Sequence, residues 1–268
     1  MSILKLAWTY LRIGVANELQ YRVNFFIQVL QSVISLGVGL IGLGLVFSYT
    51  NQLNGWSRPE LLAVVGVFTL MGGIIQAAIQ PNMERLTNEI QQGTLDFALT
   101  KPADSQVIVS VREFRFWQLV DVVVGLIVIG FSVNEMNSGG CAICTSFGIL
   151  QILGFILALI LGGIMIYCFW LILSSVAFWV IRVNDIVNLF EGLYAAGRWP
   201  VGIYPEWLKF GLTFLIPVAF AVTLPAEALT GRLTALNLLG AFALTVALVM
   251  LGRLIWRLGI RHYAGASA

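Results

Sequence analysis

Charge is what this sequence has least of. Only 10% of its 268 residues are Asp, Glu, Lys or Arg, against roughly 25% in a soluble domain. With 59% hydrophobic residues, eight Trp and seventeen Phe, the chain has too little polar surface to cover itself in water. It needs lipid around it, in line with a mean hydropathy of +0.92. The formal net charge is +2 and no basic block occurs, which excludes nucleic acid as a partner. No Gly-Lys pair occurs either, so no P-loop can cradle nucleotide phosphates. Histidine occurs once, as His262 among C-terminal arginines, and no His/Cys/carboxylate cluster has the spacing of a metal site. The chain is therefore expected to bind no cofactor or metal of its own and to catalyse nothing alone. Of three cysteines, Cys141 and Cys144 have C-x-x-C spacing in a loop and could close a small disulfide there, whereas Cys168 reads as packing.

What is abundant is long uncharged runs. A helix needs about 20 apolar residues to cross a hydrocarbon core roughly 30 Å thick. The runs predict spans at 25–49, 61–81, 116–134, 147–174, 183–204 and 233–256; the third carries one charge, Asp121, and the fifth, less regular, carries Glu191 and Arg198. A seventh segment, Leu208–Pro225, is short and interrupted by Pro217. Lys5, Arg12 and Arg22 precede the first span, and Arg253, Arg257 and Arg261 lie at the end of the last. Lys and Arg collect on the cytoplasmic side, so both termini belong there and the number of spans is even. Residues 205–230 then read as an outer re-entrant hairpin, tolerated at membrane depth when buried in protein. The fold class is all-α, integral to the membrane, with a single transmembrane domain over 1–268. Residues 1–22 mix Trp8, Tyr10 and Leu11 with polar residues, unlike a signal peptide. They fit a helix lying in the cytoplasmic interface, or a plain tail.

Between Pro81 and Pro102 lies a cytoplasmic loop, 82–104. Asn82 is placed to cap a short helix and Gly93 to end it. Met83, Leu86 and Ile90 give that helix an apolar edge, beside Glu84, Arg85 and Glu89. It suits either the groove of a cytoplasmic partner or the lipid surface.

Polar residues within spans fall in stripes of helical period. Span 1 carries Asn24, Gln28, Gln31 and Ser35; span 2 carries Thr69, Gly73, Gln76 and Gln80; span 5 carries Asn184, Asn188, Glu191, Ala195 and Arg198. Two readings fit: the faces line a translocation pathway, or they bond helix to helix as structural glue. Stripes rich in amides and poor in charge suggest a neutral or amphiphilic cargo.

The stretch Glu89-Ile90-Gln91-Gln92-Gly93-Thr94-Leu95-Asp96-Phe97-Ala98-Leu99-Thr100-Lys101-Pro102 resembles the loop after span 2 in permeases of type-2 ATP-binding-cassette (ABC) exporters, in their small bacterial six-helix branch. Pro205-Glu206-Trp207, Phe214-Leu215-Ile216-Pro217-Val218-Ala219-Phe220 and Pro225-Ala226 are similar to the outer hairpin before that family's last span. The resemblance implies a permease in a bacterial plasma membrane, paired with an identical or homologous second permease. It further implies two copies of a cytoplasmic ABC ATPase that binds Mg-ATP, with the helix at about Asn82–Gln92 fitting the ATPase cleft and spans 1, 2 and 5 facing the route. Two other classes remain as alternatives, a self-sufficient secondary transporter or channel and a membrane scaffold recruiting a soluble partner. Inverted repeats would mark the transporter, and no matching halves occur here.

Overall fold

The computed structural model describes residues 22–101, 104–138, 148–179, 194–215 and 217–263, together with Thr9, Arg12 and Gly192. These residues are helical nearly throughout, and five stretches are long and apolar enough to cross a membrane: Val23–Tyr49, Arg58–Gln91, Phe116–Asn137, Ile149–Val176 and Ala235–His262. The helices are α1 (Arg22–Tyr49), α2 (Arg58–Ile74), α3 (Gln80–Gln91), α4 (Asp96–Leu99), α5 (Ser105–Ser110), α6 (Leu119–Ser138), α7 (Ile149–Val176), α8 (Glu206–Phe210), α9 (Leu224–Leu229) and α10 (Ala235–His262).

The bundle has two ends. At one, α3 projects and the chain turns from α5 into α6. At the other lie the Asn54-Gly55 turn and the hairpin limbs Glu206–Phe214 and Ala219–Leu229, which meet at 79°. By length and composition such a bent pair is a broken span or a re-entrant loop. Phe178 packs on Trp256 at the α3 end, whereas Arg232 binds Glu60 at the hairpin end. Counted as one span, the bent pair brings the candidates among the described residues from five to six. Phe25 beside Trp117 and Tyr263 bonded to Leu95 put the start of α1 and the end of α10 at the same α3 end.

The tightest packing joins α2 to α6. A Cβ on Gly125 would lie 2.6 Å from the backbone nitrogen of Leu70, and one on Gly66 would lie 2.8 Å from Ile129. Only hydrogen fits there, so the backbones approach closely, as small residues allow between spans. Ser132 adds a polar tie, its hydroxyl donating to the Pro59 carbonyl at 2.6 Å. Together the two helices form one rigid body.

Residues 54–60 and 232 lock the hairpin end. Asn54 and Gly55 both have positive φ, and Leu53 and Trp56 exchange backbone hydrogen bonds across them, the geometry of a two-residue primed turn. The Ser57 N–H donates to the Glu60 carboxylate at 2.7 Å, satisfying an otherwise orphaned donor at the start of α2. Arg232 grips both oxygens of Glu60, donates to the Gly55 carbonyl at 2.7 Å, and stacks over the Trp56 ring.

Several expectations change in detail. The helix of the second span does not stop at 81. Arg58–Gln91 is one helical path of 34 residues, about 51 Å at 1.5 Å per residue, so about 20 Å of it must project beyond a core roughly 30 Å thick. A π-helical turn at Ile75–Ile79 joins α2 to α3 without a break. Asn82 is accordingly not a helix cap; it lies inside the rod and is 1% exposed. Gly93 does end the helix: at φ 70° it lets Thr94 N–H reach the Glu89 carbonyl and Gly93 N–H reach that of Ile90, a Schellman closure. The interfacial helix expected over 1–22 falls, apart from Thr9, Arg12 and Arg22, outside the described residues, as do Cys141, Cys144, Asn184, Asn188 and Glu191.

Candidate functional site: an amide-lined cavity and the helix below it

The stripes of spans 1 and 2 converge. Gln28, Gln31 and Ser35 of α1 face Thr69, Gly73, Gln76 and Gln80 across a cavity of about 430 Å³, closed on another side by Tyr194, Ala195 and Arg198. Asn24, placed in the same stripe by its spacing, is exposed and does not line it.

The structure sorts these side chains into two kinds. Gln28, 7% exposed, donates from Nε2 to Asp121 Oδ2 at 2.9 Å, and Ser32 donates its hydroxyl to Asp121 Oδ1. Both therefore tie α1 to α6. Gln80 likewise donates to Glu84 at 2.7 Å, and Thr69 bonds back to its own helix at the Val65 carbonyl. Gln31, Ser35 and Gln76 are exposed and make no side-chain hydrogen bond among the described residues. They are the amides and hydroxyl open to the cavity.

Asp121 was legible in the sequence only as a lone charge inside an apolar run, and its partners were not. Arg115 at the α3 end and Phe68 with Tyr194 at mid-height also line the cavity, without a sequence signal that marked them. Tyr194 stacks on Phe68 with ring centroids 4.8 Å apart and donates its hydroxyl to the Phe68 carbonyl at 2.9 Å. Arg198 sits over the other partner of that stack, 5.4 Å from the Phe68 centroid.

Below the cavity, the rod is stitched to the segment that returns into α6. Pro81 has no N–H, so the Ala77 carbonyl four residues back loses its helical donor. Arg115 N–H supplies it at 2.9 Å. One residue on, Asn82 donates from Nδ2 to the carbonyls of Ala78 and Glu113, each at 2.7 Å, while its Oδ1 accepts from Arg112 N–H at 2.8 Å and Glu113 N–H at 2.9 Å. Every hydrogen-bonding site of that buried amide is used.

Ion pairs extend the seam. Arg112, only 7% exposed in its side chain, holds both oxygens of Glu89 at 2.8 Å. Arg85 bridges Glu89 and Glu113, and Arg115 pairs with Glu84 at 2.9 Å. Met83, Leu86 and Ile90, expected as an apolar edge for a partner or lipid, are instead 1%, 1% and 8% exposed and belong to the protein's own core. The face left open is polar: a cleft of about 410 Å³ flanked by Glu84, Arg85, Asn88 and Glu89 of α3 and by Gln92 just after it, with Glu113 and Arg115 opposite. Arg115 lines both the cavity and this cleft. No group of three or more His, Cys, Asp or Glu among the described residues could hold a metal ion.

Long apolar helices around a polar cavity define a multi-pass α-helical membrane protein. The family follows from the sequence comparison: the ABC-2 family transporter protein profile matches residues 33–267, and the chain belongs to that family. Its members are membrane transport subunits, normally without catalysis of their own. No curated protein and no solved structure gives a significant match.

Proposed function

We propose that this chain is the permease subunit of an ATP-driven exporter, working with two copies of a separate cytoplasmic ATPase that carries Mg-ATP. The observation that supports it best is the unbroken helix from Thr69 through Gln76 to Glu89. One rod carries half of the cavity wall on its membrane part and an ion-paired polar surface on its projecting part. A partner that grips Glu84, Arg85, Asn88 and Glu89 moves the cavity wall with them, because the α3 seam leaves no loose joint between. Nucleotide-driven closure of the ATPases then biases a two-state equilibrium of the pathway.

A second permease subunit, identical or homologous, completes the pathway. Gln31, Ser35 and Gln76 are exposed within apolar stretches, and polar side chains at that depth are costly against lipid. A facing copy of the cavity covers them. The hairpin limbs form a re-entrant cap on the outer side, and the α3 end with both termini faces the cytoplasm of a bacterial cell. Once Cys141 and Cys144 are replaced, Asn54→Cys reacts with an impermeant thiol reagent from outside and Gln92→Cys does not.

The deciding experiment isolates the chain from its native membrane and measures ATP hydrolysis by whatever ABC ATPase accompanies it. Stimulation by the intact chain is expected. Thr87→Pro, which breaks α3 at a cost of about 3 kcal/mol, is expected to abolish the stimulation while the protein still inserts. A chain that moves cargo with no ATPase attached refutes the proposal.

A further inference from the structure

Among the described residues, Arg198 is the positively charged cavity group with no opposite charge beside it. Phe68 lies ten residues along the second span from Arg58, about 15 Å at 1.5 Å per residue, half-way through a core roughly 30 Å thick. Arg198 stacks over that ring, so its guanidinium sits near mid-depth, where an ionised side chain requires a partner or water. Among the described residues it meets no carboxylate. Asp121, the one carboxylate lining the cavity among the described residues, is held by Gln28 and Ser32 at the next level towards α3. Arg115 is paired with Glu84. The lining thus carries a positive centre over an aromatic face, with the unbonded amides of Gln31 and Gln76 nearby.

The rim says more about the occupant. On α1, Leu30, Ile34 and Val38 are exposed beside Gln31 and Ser35, so the cavity is bordered by an apolar surface that faces the bilayer. About 430 Å³ holds a headgroup, not a whole lipid. A molecule with its charged end on Arg198 can keep its apolar tail along α1 in the membrane.

We propose that the cavity recognises the anionic headgroup, phosphate or carboxylate, of a membrane-borne amphiphile through Arg198, with Gln31 and Gln76 bonding the neutral polar atoms next to it. Guanidinium matches either oxyanion by paired hydrogen bonds, and the Phe68 ring beneath holds it in place. This rests on the reading of the cavity as a cargo site and adds an anionic group to the neutral or amphiphilic cargo that the amide stripes by themselves suggested.

The test uses the purified full chain in a neutral maltoside detergent and follows thermal stabilisation by dodecyl phosphate, dodecyltrimethylammonium and inorganic phosphate. Saturable stabilisation by dodecyl phosphate is expected, weakened at least about tenfold in Arg198→Gln, as loss of a charge-assisted hydrogen bond implies, and largely kept in Arg198→Lys. Arg257→Gln, an exposed arginine on α10, should bind as the wild type does. Inorganic phosphate binding at least about tenfold more weakly identifies an amphiphile as the occupant; equal binding overturns that part and leaves a free anion. Should Arg198→Gln not fold, Arg198→Lys and the cation competitor still decide. Equal stabilisation by dodecyltrimethylammonium, or dodecyl phosphate binding untouched by Arg198→Gln, overturns the proposal. Neither result bears on ATPase stimulation, so the exporter reading stands or falls separately.

Discussion

Asn82 and Glu113 hold each other by both of their amide groups: the Asn82 side chain donates to the Glu113 carbonyl at 2.7 Å and accepts from the Glu113 N–H at 2.9 Å. Thirty-one residues separate them in sequence, yet the pair imitates one rung of a sheet between a helix and a returning strand-like segment. The rung lies directly below the cavity and directly beside the Pro81 gap in the helix ladder. It makes α3 and the entry to α6 a single body.

The first prediction concerns that rung. Asn82→Ala takes the partner from the N–H groups of Arg112 and Glu113 and from the Glu113 carbonyl, each costing about 1–3 kcal/mol when nothing replaces the bond. Asn82→Asp keeps the acceptor and loses the donors. Thermal unfolding in detergent should rank wild type above Asn82→Asp above Asn82→Ala. Equal midpoints for all three would show that the seam does not hold α3.

A second prediction separates glue from lining within one stripe. Gln28→Leu removes a tie between α1 and α6 and takes the donor from Asp121 Oδ2, leaving only Ser32 on that carboxylate, so it should lower thermal stability. Gln31→Leu and Gln76→Leu remove no side-chain hydrogen bond among the described residues and should leave the midpoint of the isolated subunit within about 0.5 kcal/mol of wild type. Their effect should appear in transport by the assembled complex. If Gln31→Leu destabilises the isolated chain as much as Gln28→Leu, the division is wrong.

Glycine contacts offer a matched pair on a single helix. Gly125→Ala places a methyl 2.6 Å from the Leu70 backbone, whereas Gly130→Ala meets nothing within 4 Å. Overpacking costs about 1–3 kcal/mol, so Gly125→Ala should lower the unfolding midpoint. Gly130→Ala should be neutral or slightly stabilising, since alanine is the better helix former by about 1 kcal/mol. Similar behaviour of the two variants would refute the close α2–α6 contact.

The last prediction concerns pH. Arg253 donates to both oxygens of Asp104, at 3.1 and 2.5 Å, and this bonding holds the Asp104 carboxyl below its usual range. A lowered folded-state value stabilises the protein at pH above the unfolded value, about 3.9, and that stabilisation fades as pH falls through the lowered value. Both side chains are more than a third exposed, so the term is at most about 1 kcal/mol. The difference in unfolding midpoint between wild type and Arg253→Gln should be constant from pH 7 to about 4 and shrink below. A gap that persists undiminished into stronger acid would count against the ion pair.

The sequence by itself determined that the chain is membrane-embedded and helical, because charge scarcity and run length are properties of the chain and need no partner. It also determined which faces of spans 1 and 2 are polar, since helical period places Gln28, Gln31, Ser35, Thr69, Gln76 and Gln80 on two stripes wherever those helices lie. Gly93 as the end of α3 was legible for a local reason, the positive φ that its closure needs. Tertiary structure decided what each polar residue does. Gln28 and Gln31 are alike in type and stripe, but only Gln28 reaches Asp121, because α6 packs on that side of α1. Asn82 has the sequence of a helix cap and became an internal staple, because the π turn and Pro81 carry the helix through it and the 110–115 segment arrives alongside. The apolar edge of Met83, Leu86 and Ile90 looked outward by pattern, and the core of the same chain took it. Periodicity fixes a face; which neighbour covers that face depends on contacts distant in sequence, and those exist only once the helices have packed.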